Sequence, residues 1–96
     1  MKRKLSSAEL AKELNISPAR GMEAIIKAQL ITAILKAVER QTLTHRELAR
    51  RSGLPRSAVT GILSGSLQKV TIDRVLRLAE AANLQAEVRV TNRAAA

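Results

Sequence analysis

The chain contains no phenylalanine, tyrosine or tryptophan. Any core it builds must therefore be aliphatic. The same absence bears on nucleic acids, because single-strand binders and RNA readers stack bases on aromatic rings. Duplex DNA asks only for cations and hydrogen-bonding side chains in a groove. Cysteine is absent too, which excludes a disulfide framework and a thiolate zinc site and fits a reducing cytoplasm. Acidic residues are scarce: 8 Asp and Glu stand against 17 Lys and Arg, for a net charge of +9. That balance draws the chain to polyanions, nucleic acid first and an anionic membrane surface second. No apolar run approaches the ~20 residues of a membrane span. The basic start, Lys2, Arg3 and Lys4, is followed by no apolar stretch, so it does not read as a signal peptide.

What is present is helical punctuation. Ser6 and Glu9 have capping-box spacing, in which each side chain satisfies an orphan backbone N–H. They predict an extra helix to about residue 16 with Leu10 and Leu14 on its apolar side. Ser17 and Pro18 read as N-cap and first residue of a long helix, since proline lacks a donor that position leaves unpaired. Its pattern runs to about residue 40, with Met22, Ile25, Ile26, Leu30, Ile34, Ala37 and Val38 at helical spacing. Glu23, Lys27, Lys36 and Arg40 fill the polar positions between them. Gly21 is a weak point if interior.

Thr44 and Glu47 form a second capping box, opening a helix over 45–52. Gly53 follows as the turn, and Pro55 suits the first position of a helix to about residue 64, closed by Gly65. Thr71 caps a last helix over 72–82, with the stripe Ile72, Val75, Leu76, Leu78 and Ala79. Asp73 sits in its first turn, where the helix dipole favours an anion. The period then changes to two: Ala86, Val88 and Val90 alternate with Glu87, Arg89 and Thr91, which predicts a short strand. A strand alone is unstable, so it needs a partner edge. The expected fold is all-α, a helix-turn-helix bundle of about five helices with a short C-terminal β-strand. Residues 1–96 are expected to make one domain: a basic arm and extra helix over 1–16, a core over 18–84, and the strand over 85–92.

Two segments look like the first helix and turn of a helix-turn-helix: "ELAKELNISP" from Glu9 and "ELARRSGLPR" from Glu47. The unit at 45–64 has Leu48 as its apolar residue, Ala49 where the helices cross, Gly53 in the turn, and Leu54, Val59, Ile62 and Leu63 facing inward. Ser52 departs from the pattern, because that place is more often apolar. The unit at 7–26 offers only Gly21 and Ala24 where Val59 and Ile62 would match, and its second helix is too long to read DNA. The first is thus read as a chance or vestigial likeness, and the second as the working unit.

Residues 43–84, through "ELARRSG" and "SAVTGILSG", resemble the DNA-binding core of the XRE/Cro–phage-repressor regulators, and most of all the small HigA-type antitoxin-like members. The resemblance implies a lambda-repressor-like bundle whose recognition helix, 55–64, reads the major groove from its first residues. Carried over, the base-reading candidates are Arg56, Ser57, Thr60 and Gly61. Arg56 suits two hydrogen bonds to guanine, Ser57 is less selective, and Gly61 lets the backbone approach closely while removing a contact. Phosphate candidates are Thr44, His45, Arg46, Ser64, Ser66 and Lys69. The arm Lys2–Lys4 could lie along a groove but reads first as a solvated tail, and Arg50 reads first as solvated helix surface, as Arg51 also can.

His45 has neither metal co-ligands nor a nucleophile with an orienting group, and the acids form no paired cluster. We expect no enzyme, metal or cofactor. Two recognition helices must lie about 34 Å apart to enter successive grooves, so a homodimer and a palindromic operator are expected. The dimer surface is either the long helix or the 86–91 strand, and the strand could instead augment a sheet in a toxin partner. The expected function is a sequence-specific duplex-DNA-binding transcriptional regulator, an autorepressor of its own operon. The alternatives are the antitoxin of a type II pair that neutralises a RelE/HigB-like toxin, and a non-specific architectural DNA binder. The expected location is cytoplasmic, on the bacterial nucleoid, without membrane contact.

Overall fold

The computed structural model describes residues 9, 12, 14, 15, 17–65 and 70–92. Four helices are defined there: α1 (Pro18–Gln41), α2 (His45–Ser52), α3 (Arg56–Leu63) and α4 (Ile72–Ala81). Of the extra helix expected over 6–16, Glu9, Lys12 and Leu14 are helical, and the remainder lies outside the described residues.

Local chemistry sets the ends. The Ser17 hydroxyl accepts from the Arg20 N–H, with Pro18 next in line, as the dipeptide predicts. Thr44 and Thr71 cap α2 and α4 the same way, accepting from Glu47 N–H and Arg74 N–H. α1 and α4 both close with paired 6→1 and 5→2 bonds: Leu43 N–H to Val38 O with Thr42 N–H to Glu39 O, and Leu84 N–H to Ala79 O with Asn83 N–H to Glu80 O. Such closures place one residue in the left-handed region. Asn83 tolerates it (φ 62°), but Thr42 (φ 55°) is β-branched and strained there. α2 ends on Gly53 (φ 74°), whose N–H returns to Ala49 O.

α1 packs along α4, α2 packs on both α3 and α4, and α1 also touches α3. The core is aliphatic, with Ile34, Leu48, Val59, Ile62, Val75 and Leu78 fully enclosed. Each of these large side chains contributes roughly 1.5–3 kcal/mol on burial.

Four expectations from the pattern need correction. On α1 only the C-terminal half lies on the core, so Ile31 is buried while Met22 and Ile26 are exposed. Lys27, expected on the polar face, is 5 % exposed, its ammonium 2.9 Å from Glu23 Oε1. Glu23 stands one turn before it, the favourable order for such a pair. Leu76 on α4 points away from the core and is exposed. The C-terminal strand is also absent: 84–92 is not paired into a sheet. The described chain offers it no edge strand, and an unpaired strand has no ladder to complete.

Candidate nucleic-acid interface

α2 and α3 form the two arms of a helix-turn-helix. Leu48, Val59 and Ile62 are buried in the one core cluster, and Leu54, just after the turn, is buried with them. The Ser52 hydroxyl, out of place as an inward residue, is used by the turn itself. It accepts from Leu54 N–H at 3.2 Å and lies 3.5 Å from Ala49 O. A serine two residues before a backbone N–H is a recognised local hydrogen-bonding pattern, and that spacing was the available signal in the sequence.

With Val59 and Ile62 buried, Arg56, Ser57, Thr60 and Ser64 share the exposed side of α3, with Gly61 half-buried among them. α3 starts one residue later than the proline suggested: Pro55 is its N-cap and supplies no side-chain bond. The first N–H groups of the helix are therefore left without a side-chain cap, the positive end of the helix dipole. Arg56 has no hydrogen bond or ion pair to any described residue, and neither does Arg46 on α2.

His45, first residue of α2, reaches across to α3. Its Nδ1 lies 3.0 Å from Thr60 Oγ1. Either the hydroxyl donates to an unprotonated Nδ1 or an Nδ1–H donates to the hydroxyl oxygen. In the first case the ring proton sits on Nε2, which is then a donor. In the second the Thr60 O–H remains free to donate elsewhere. Two candidates from separate groups, one for phosphate and one for bases, thus share a single hydrogen bond.

The other candidates are variously engaged. Thr44 accepts the capping bond from Glu47 N–H, and Ser64 donates to Gly61 O at 2.9 Å. Ser66 and Lys69 lie outside the described residues. Arg50 and Arg51 converge on Glu47, with Nε–O distances of 3.0 and 2.9 Å. These two guanidinium groups hold the Glu47 carboxyl down to a pKa of about 2. The capping box expected at Thr44 is therefore only half made, because Glu47 serves the arginines instead of the Thr44 N–H. Glu47 in turn raises the pKa of Arg50 by hydrogen bond and charge.

Residues 20–91 match the model of a helix-turn-helix domain family. The chain belongs to that family. The matched span takes in the whole 45–64 unit and starts inside the 7–26 one. As a helix-turn-helix protein it belongs to a DNA-binding class. No curated protein and no solved structure matches it. No helix among its described residues is long and apolar enough to cross a membrane.

Sequence reasoning missed a second set of contacts, which ties the ends of α1 and α2 to the end of α4. The last carbonyls of α4 are satisfied from a distance. Arg51 Nη1 donates to Ala81 O at 3.2 Å, and Gln41 Nε2 donates to Ala82 O at 2.8 Å. Asn83 Nδ2 donates back to Gln41 Oε1 at 2.7 Å. A guanidinium at the negative end of a helix is well placed electrostatically. These partners are 30 to 42 residues apart in the chain, so no local periodicity announces them.

Proposed function

We propose that the chain is a sequence-specific duplex-DNA-binding transcriptional regulator that represses its own operon. It reads a palindromic operator as a dimer through the recognition helix. The observation that carries this reading is the exposed side of α3: Arg56 and Ser57 stand at the uncapped start of the helix with Thr60 one turn on, and the Arg56 side chain is unpaired among the described residues. Arg56 offers the bidentate fork that suits guanine O6 and N7. Ser57 and Thr60 add hydroxyl contacts, and Gly61 leaves the backbone open to close approach. His45, Arg46, Thr44 and Ser64 border this face and serve the phosphates, as the backbone N–H groups at the start of α2 do. In this reading the XRE/Cro resemblance holds, and the chain is not an enzyme.

The test is a titration against duplex DNA from upstream of its own gene beside scrambled DNA, at physiological salt, with Arg56→Ala in parallel. The expected result is a preference of ~10³ or more for the upstream DNA. Arg56→Ala should remove about 1–3 kcal/mol of it. Equal binding of all sequences by both proteins, with a shared steep salt dependence, would instead identify an architectural binder.

A further inference from the structure

The segment that follows α4, residues 85–92, belongs to no helix or sheet among the described residues. Val88 and Val90 are 84 % and 87 % exposed, beyond any other large apolar side chain described. None of residues 85–92 takes part in a backbone hydrogen bond. The segment has no proline, so every N–H in it is a donor. An exposed row of unpaired N–H and C=O groups beside apolar side chains is a template for another strand.

The order of side chains selects which strand. We infer that the segment pairs antiparallel with the same segment of a second copy, in a register centred on Val88. In that register Val88 stands opposite its counterpart, and Ala86 stands opposite the second copy's Val90. Glu87 then faces the second copy's Arg89 twice, once on each side of the two-fold axis. One face of the two-stranded ribbon is wholly apolar, and the other carries two complementary ion pairs. Neighbouring registers lose this match. Centring on Glu87 or on Arg89 sets like charges directly opposite, which is destabilising. A slip by one residue in the pairing sets valine against arginine and mixes the two faces.

The bundle supplies more surface at the same place. A groove of about 500 Å³ runs between α1, α4 and residues 86–89. Ile26 and Leu76, both exposed, lie along it. A two-stranded ribbon alone is marginal in water, and this apolar border gives the second copy's segment something to rest against.

The inference rests on the dimeric part of the proposed function and not on the reading of α3. A chain that fails to dimerise here keeps its α2–α3 face, and the operator titration tests that face independently. Sedimentation of the full chain at micromolar concentration is the first measurement. Wild type is expected to be dimeric. Glu87→Arg and Arg89→Glu each turn both ion pairs into repulsions and should weaken the dimer by about tenfold or more. The double exchange E87R/R89E restores opposite charges and should restore the dimer. All these side chains are exposed, so helical content by circular dichroism should stay constant.

The absence of cysteine permits a second arm. Val88→Cys should form an intermolecular disulfide on mild oxidation, whereas Val90→Cys alone should not, and Ala86→Cys mixed with Val90→Cys should. A monomeric wild type would overturn the inference. So would a double exchange that fails to rescue, or cross-linking through position 90 in preference to 88.

Discussion

Gly61→Ala should stabilise the protein and weaken its hold on DNA, and the two effects come from the same methyl group. Gly61 lies in the interior of α3 with ordinary helical backbone, and a Cβ built there meets nothing within 4 Å. Alanine therefore brings neither clash nor packing. What remains is the backbone term, roughly 0.8–1 kcal/mol in favour of alanine at an interior helix position. For a domain of this size that corresponds to a rise in melting temperature of about 3–8 °C, read by calorimetry without DNA. On the DNA side the methyl projects from the proposed reading face, between Ser57, Thr60 and Ser64. If the backbone at Gly61 approaches the groove closely, the methyl should weaken operator binding by roughly tenfold, the scale of one lost base contact. An unchanged or lower melting temperature would refute the open helical setting of Gly61. A stabilised protein that binds operator as tightly as wild type would refute close approach at this face.

Two further outcomes test the frame that carries α3. Thr42→Gly should raise stability by roughly 0.5–1 kcal/mol. It relieves a left-handed threonine, which costs about 1–2 kcal/mol, and gives back part of that as glycine's larger unfolded-state entropy; chemical denaturation reads the difference, and destabilisation would show that Thr42 is not strained. Acid should loosen α2 through Glu47. Its folded pKa, about 2, lies below the usual carboxylate value, so its contribution is fully present above pH ~4.5 and is lost as pH falls toward 2. Glu47→Gln should flatten the pH dependence of stability across that interval, and an unaltered acid profile would remove the Arg50–Glu47–Arg51 cluster from the account.

Much of the site was legible because its determinants are local. Ser17, Thr44 and Thr71 announce helix starts within three residues of the bonds they make, and Gly53 announces a turn that only a positive φ can close. The inward set Leu48, Leu54, Val59 and Ile62 follows from spacing alone. The misreadings share a different cause. Periodicity tells which side of α1 is apolar but not how far along α1 the bundle extends, so the pattern predicts Met22 and Ile26 inside and leaves out Ile31. Lys27 is buried because its ammonium has Glu23 one turn back, a pairing that the same spacing also permits on a solvated surface. Gln41, Arg51 and Asn83 meet only after folding. The period of two over 86–91 predicts a strand that needs a partner edge, and the described chain forms none there, because such a period says what a segment can pair with and not whether the partner is in the same chain.

The contacts at the end of α4 have a consequence for length. Gln41 and Arg51 tie the last turn of α4 to the end of α1 and to the helix before α3, and residues 85–92 leave from that same turn. Their point of departure is thus held relative to α3. In a dimer joined through residues 86–90, only a few residues would then separate the held end of α4 from the two-fold axis, which bounds the distance between the two copies of α3. Such a molecule acts as a ruler. It should accept half-sites at one separation and discriminate against an operator lengthened by a few base pairs, even when every base it reads is unchanged.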